Sequence, residues 1–151
     1  MDDIKIWHIK GVIYMYKQIL LAVDGSENSL RATEHAVELA KLSGGKVDLI
    51  NVIDFDEARS EMIQTRQSEV DESRRARYQP AVELLEENVL KNEVFVFYGN
   101  PGTVIVDHAK ENDYDVILIG SRGLNKLQEM VLGSVSNRVV QKATCPVLVV
   151  K

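Results

Sequence analysis

The chain has one cysteine, one tryptophan and three prolines among 151 residues, and no apolar run long enough to span a membrane. A single thiol, Cys145, excludes an internal disulfide framework and fits a reducing, cytoplasmic compartment. An excess of basic residues is missing too. The 18 Lys and Arg against 23 Asp and Glu give a net charge of −5 and a pI near 5.2. Such a surface repels nucleic acid and anionic membranes, so neither is an expected partner, although a local phosphate site remains open. Two phosphate-binding patterns are absent as well. Without G-x-x-x-x-G-K-[ST] there is no P-loop lysine, and without G-x-G-x-x-G opening the first helix a dinucleotide dehydrogenase is not indicated.

What is present is ordinary for a globular domain: 45% hydrophobic and 27% charged residues, in a length that suits one domain with a substantial core. Short β-branched runs alternate with longer helical periods. Strands are expected over 18–23, 47–53, 93–98, 115–119 and 146–150. Thr33, Ala36, Val37 and Ala40 form one helix face, ended by Ser43-Gly44-Gly45, and residues 103–111 and 133–142 form two further helices. Residues 54–73 read as a polar, irregular, mobile loop leading into a helix with a stripe of Tyr78, Val82, Leu85 and Val89, which Pro80 is expected to kink or open. Nearly all-apolar strands separated by helices imply a doubly wound five-stranded parallel α/β sheet with helices on both faces, in the order 3-2-1-4-5. In that order the first and fourth strands flank the crevice where ligands bind.

The most informative segment lies there. Val116-Ile117-Leu118-Ile119 runs into Gly120-Ser121-Arg122-Gly123, and nine residues later Gly133-Ser134 opens an amphipathic stretch. Strand, glycine-punctuated loop and helix start are the arrangement in which backbone N–H groups converge on a phosphate chain. Gly120 and Gly123 are expected to exploit positive φ and close approach to a ligand, Ser134 to cap the helix, and Arg122 to add a charge-assisted contact. Three glycines alone serve a plain turn equally well; their position at the strand ends favours the anion site. Asp24, after the first strand, is placed to accept from ribose hydroxyls or to help hold a divalent cation.

These features resemble the universal stress protein family over about residues 15–151. The opening Tyr16-Lys17-Gln18-Ile19-Leu20-Leu21-Ala22-Val23-Asp24-Gly25-Ser26, the nucleotide motif G-x2-G-x9-G-[ST] as Gly120, Gly123, Gly133 and Ser134, and the ending 143–150 carry the likeness. The intact motif resembles the ATP-binding branch. The resemblance implies that Asp24 faces ribose and Mg2+, that Val52 offers backbone contacts to adenine, and that Ala22 and Val23 line the base or ribose pocket. It implies too that Ile119, Gly120, Arg122, Gly123, Gly133, Ser134 and Val135 surround ribose and phosphates. Ala22 stands where some members have proline. A nucleotide-responsive regulatory homodimer follows, with no catalytic residue assigned and any ATP hydrolysis or autophosphorylation slow; a slow hydrolase or autokinase, and an interaction module with an empty loop, are the alternatives.

Other residues carry weaker signals. His35 and His108 have no acidic or cysteine partner at metal-ligand spacing, and Cys145 reads as a small core residue. The run 69–77 mixes charges as a solvated helix face does, and Asn125, Lys126 and Gln128 sit in an exposed spacer. Val147 to Val150, as an apolar sheet edge, is expected to pair with a second copy. Residues 1–14 fit nothing in the domain pattern and are not a signal peptide. Either Met15 is the natural start, or Ile4, Ile6, Trp7, Ile9, Val12 and Ile13 form an extension that docks on a neighbouring surface. The mass of the protein made from its own locus is expected to correspond to initiation at Met15; a mass corresponding to Met1 overturns that expectation.

Overall fold

The computed structural model describes residues 15–64, 67–123 and 132–151. Its elements run β1 (Gln18–Ala22), α1 (Glu27–Ser43), β2 (Lys46–Ile53), α2 (Phe55–Gln64), α3 (Gln67–Glu87), β3 (Val94–Tyr98), α4 (Pro101–Glu111), β4 (Val116–Gly120), α5 (Ser134–Lys142) and β5 (Val147–Val150). The five strands are all parallel, in the order β3-β2-β1-β4-β5. Each strand found lies within two residues of its expected bounds, because apolar runs bounded by turn residues are a strong signal for strands buried on both faces.

Side-chain alternation along the central strands sends residues to two cores. Ile19, Leu21 and Val23 point, with Leu49 and Leu118, into a layer closed by Ala32, Ala36 and Ala40 of α1 and Ala81 and Leu85 of α3. Leu20 and Ala22 point the other way, with Ile50, Ile117 and Ile119, against Ile105 and Ala109 of α4 and Val139 of α5. Helices thus cover both faces. The helix ends follow their local chemistry: Ser26 Oγ accepts from Ser29 N at 3.2 Å to start α1, and Gly44 closes it in the left-handed region at φ 64°. Asn100 Oδ1 likewise accepts from Thr103 N at 3.2 Å, with Pro101 in the first turn of α4.

Three expectations are corrected. Residues 54–73 are not an irregular loop: α2 occupies Phe55–Gln64 and α3 begins at Gln67. Their apolar contribution is thin, chiefly Ala58 and Val70, so periodicity alone does not reveal them. Charged pairs hold the two helices together instead. Arg74 donates to Glu61 Oε2 from Nε and one terminal nitrogen at 3.2 and 3.1 Å, and to the Tyr98 hydroxyl at 2.7 Å, with its guanidinium 5.3 Å from the Tyr98 ring centre. Arg74 is therefore buried, not on a solvated face. Secondly, Pro80 does not open the helix: α3 continues through it to Glu87, with Arg74 before it and Leu85 after it buried. Thirdly, Val89 is not part of the apolar stripe; it lies past the helix end at φ 57° and is 91% exposed. Asn125, Lys126 and Gln128 fall outside the described residues.

His108 of α4 is half-buried against Phe95, Phe97 and Tyr114, with ring centres 4.6, 5.2 and 5.6 Å away. Its Nε2 is buried with no hydrogen-bond partner among the described residues, whereas His35 is exposed on α1. Burial holds the His108 pKa below the ordinary histidine value, only partly opposed by Asp48 and Glu111. Because the folded pKa is the lower one, the unfolded chain binds the proton more readily, and stability falls as pH drops through about 6.5. The melting temperature is expected to fall between pH 7.5 and pH 5, and to fall less in His108→Gln; equal acid sensitivity of the two proteins would show that this histidine is not a source of the effect.

Candidate functional site

Strand order reverses between β1, which turns to β2, and β4, which turns to β5, so the connections leaving their C-terminal ends diverge and leave a crevice. A cavity of about 520 Å³ fills it. All eleven residues singled out from the sequence line this one cavity: Ala22, Val23 and Asp24 after β1, Val52 of β2, Ile119, Gly120, Arg122 and Gly123 at the end of β4, and Gly133, Ser134 and Val135 at the start of α5. Ile50, Pro101 and Ile105 add apolar wall, and Ser26, Ser29 and Ser136 add hydroxyls. The fourth group, Asp54, Glu57 and Arg77, brings charge from the β2–α2 connection, α2 and α3. Ile50 was legible as the residue two before Val52 on the same strand face. Glu57 and Arg77 gave no such signal, because one lay in a segment read as loop and the other in one read as a solvated face.

The glycines do not work as expected. Neither Gly120 nor Gly123 adopts positive φ; among the described glycines only Gly25, Gly44 and Gly99 do. At Gly120 the missing side chain admits helix α1: a Cβ there would stand 2.8 Å from Asn28 Cβ and 3.0 Å from Ser29 N. At Gly123 it admits Asp24, whose Oδ2 would lie 2.6 Å from a Cβ. Only Gly133 leaves ordinary room, with Ser121 O at 3.4 Å.

Helix α5 opens differently from α1 and α4. Its N-cap is Gly133, not Ser134, and no side chain caps the first turn. Ser134 is instead the first helical residue. The N–H groups of the opening turn have no helical acceptor by geometry, and Ser134 and Val135 line the cavity at the positive end of the helix. The loop beneath is fixed by bonds of its own: Ser121 N donates to Val150 O at 2.6 Å, Gly133 N to Ser121 O at 2.7 Å, and Ser136 Oγ to Ser121 O at 2.8 Å. Arg122 lines the same cavity.

Asp24 occupies the opposite wall. Its Oδ1 accepts from Ser26 N at 2.9 Å, and Oδ2 takes no hydrogen bond among the described residues. The Arg77 guanidinium is bonded to Glu57 Oε1 and stands 3.5 Å from Glu61 Oε1. Its pKa is raised by the bond to Glu57, with Glu61 and Asp24 contributing against the effect of burial. No three His, Cys, Asp or Glu side chains come together to hold a metal among the described residues. Asp24 thus offers one carboxylate oxygen without a hydrogen bond among the described residues. Cys145 is half-buried outside the cavity, and burial pushes its thiol pKa up.

Fold and crevice define a doubly wound α/β protein with a cavity at its switch point. Residues 15–151 match the model of the universal stress protein family, and the chain belongs to that family. It is 33% identical over 148 residues to the universal stress protein YxiE of Bacillus subtilis, covering 91% of this chain and all of that one. Among solved structures, the hypothetical protein MJ0577 superposes with a TM-score of 0.81 at 33% identity, covering 91% of this chain and 96% of that one. A universal stress protein from Archaeoglobus fulgidus in complex with dAMP superposes with a TM-score of 0.68 at 26% identity, covering 91% and 99%. No described helix is long and apolar enough to cross a membrane.

Two glycine substitutions should separate fold from site. Gly120→Ala forces a methyl into the α1 backbone, so the melting temperature is expected to drop by several degrees. Gly123→Ala meets only the Asp24 carboxylate, so stability should hold while adenylate affinity, read by calorimetry, falls on the order of tenfold, about 1.4 kcal/mol. A loss of stability in Gly123→Ala equal to that in Gly120→Ala would refute the assignment.

Proposed function

We propose that this protein binds ATP or a related adenine nucleotide in the β1/β4 crevice and acts as a nucleotide-responsive regulatory dimer. One observation carries the reading: the residues flagged as base, ribose and phosphate contacts lie around a single cavity, with no side chain capping the first turn of α5 and an unengaged carboxylate oxygen at Asp24. The 5′-phosphates rest on the N–H groups of Ser134 and Val135 and beside Arg122, with Gly120, Gly123 and Gly133 keeping the floor open. Adenine occupies the apolar slot of Ala22, Val52, Ile105, Ile119 and Val135, its edge read by the Val52 backbone. Val23 and Asp24 flank the ribose, and Asp24 shares Mg2+ with the phosphates. The dAMP complex of the Archaeoglobus fulgidus relative supports an adenylate as the ligand class.

The dimer forms through β5, an edge strand whose Leu148 is 42% exposed and whose free side is a template for a second copy. Helix α5 and β5 flank the same loop through the Ser121–Val150 bond, so ligand at the amides is coupled to the edge that pairs. Binding tight in the ground state without groups aimed at a transition state gives slow turnover at most.

Calorimetry is expected to show ATP binding that is strengthened by Mg2+, preferred over GTP, and lost in Gly133→Trp, whose ring fills the space between Ser121 and Ser136. Saturating ATP at about 100 times its dissociation constant should stabilise the fold by about 2.7 kcal/mol. Sedimentation should give a dimer whose dissociation constant shifts with ATP. Silence toward all adenylates would leave only the interaction-module reading, and a monomer at working concentration would remove the dimer switch.

A further inference from the structure

Where β1 leaves the sheet, a buried side chain takes over a rung of the backbone ladder. The register pairs Ala22, the last residue of β1, with Ile50, so Val23 stands opposite Asn51. One rung forms in the ordinary way, with Val23 N donating to Ile50 O at 3.0 Å. In a parallel ladder the Val23 carbonyl would next accept from Val52 N. No such bond is found among the described residues; Asn51 Nδ2 donates to Val23 O at 2.8 Å instead. Asn51 is 1% exposed, and its Oδ1 is buried with no hydrogen-bond partner among the described residues. An unpaired buried acceptor destabilises a fold, a cost that an apolar residue of similar size avoids, so the amide calls for a role other than packing.

The consequence falls on Val52. Backbone groups of β2 alternate between its two neighbours. On the β3 side Leu49 N donates to Glu93 O at 2.8 Å and Ile53 O accepts from Gly99 N at 3.0 Å, whereas Ile50 O serves β1. By the same period the N–H and C=O of Val52 turn to the β1 side, at the level where β1 has ended, and Val52 lines the cavity. Asn51 projects to the same sheet face as Leu49, the face covered by α1 and α3, and holds the Val23 carbonyl there.

We infer that Asn51 is a positioning residue for the crevice: its side-chain amide occupies Val23 O, stops β1 from pairing further along β2, and leaves the Val52 backbone edge free for a purine base. The inference rests on the nucleotide reading, in which that edge meets adenine, and adds the residue that frees it. Leucine at this position has neither donor nor acceptor. Asn51→Leu therefore leaves Val23 O to the nearest amide, that of Val52, and closes the edge. Inosine is the informative contrast to adenine, because its ring edge exchanges the donor and the acceptor that a backbone N–H and C=O would meet.

The test follows the Val52 amide by NMR hydrogen exchange, and ATP and inosine 5′-triphosphate by calorimetry, on the full chain and on Asn51→Leu. Without ligand, the natural protein is expected to exchange the Val52 N–H on the order of tenfold faster than the Leu49 N–H, and saturating ATP to slow it. In Asn51→Leu the unliganded Val52 N–H should exchange on the order of tenfold more slowly than in the natural protein, and the preference for ATP over the inosine nucleotide should fall about fivefold. A purely structural role would weaken both nucleotides alike, so an unchanged preference in folded Asn51→Leu overturns the proposal while leaving nucleotide binding intact. Should Asn51→Leu fail to fold, the natural protein decides: a Val52 N–H as protected as that of Leu49, or one that ATP does not slow, overturns it equally. Failure of ATP to bind at all removes the reading on which the inference rests.

Discussion

Helix α1 begins so close over the end of β4 that only a residue without a side chain fits beneath it. The backbone of Asn28 and Ser29 occupies the space that a Cβ on Gly120 would take. That contact brings the β1–α1 turn, with Asp24 and Ser26, up against the β4–α5 connection. Asp24 in turn fills the space beside Gly123, and Asn28 Nδ2 donates to Ser121 Oγ at 3.1 Å. The two walls of the crevice are therefore set by one close approach. Everything the site can do chemically depends on the resulting separation between Asp24 on one wall and the α5 amides on the other.

The opposite ends of that crevice are maintained by different forces. At the anion end the backbone does the holding: Ser121 O receives Gly133 N and Ser136 Oγ, and the missing cap at Gly133 leaves the amides of the first turn of α5 without internal acceptors. At the other end, long side chains hold α2 to α3. Arg74 is shared between Glu61 and Tyr98, and Arg77 between Glu57 and Glu61. Breaking one member would leave Arg74 buried without its partners, a costly state for a charge. Glu57 and Arg77, which help close the helices, also line the cavity, so the hold between the helices and the charge of the cavity wall share residues.

Regulation by a bound nucleotide, as proposed, requires that the ligand end and the dimer edge be mechanically joined. The bond from Ser121 N to Val150 O at 2.6 Å joins the β4 exit to the last residue of β5. In the sheet, β4 and the proposed pairing strand are direct neighbours. Coupling over so short a path needs no long chain of contacts, only a shift of the β4–α5 connection that both the phosphates and the partner copy feel.

Strand positions, sheet order, the two-sided cover of helices, Asp24 and the glycine-loop residues were legible in the amino-acid sequence, because apolar runs, helix caps and glycine spacing are local signals that fold topology then brings to one place; Ala22, Val23, Val52 and Ile119 were implied only by the family resemblance. The role of each glycine was not. Gly120 and Gly123 looked like residues chosen for backbone freedom or ligand approach, and only the packed structure shows a helix in one vacated space and a carboxylate in the other. Helix α2 and the start of α3 escaped for a related reason: ion pairs between residues 13 to 20 positions apart hold the two helices, and periodicity cannot register a partner at that distance. Local pattern determined the scaffold and the position of its crevice. Tertiary contact alone decided the charge at the crevice mouth, since Glu57 and Arg77 acquire their meaning only when two helices bring them face to face.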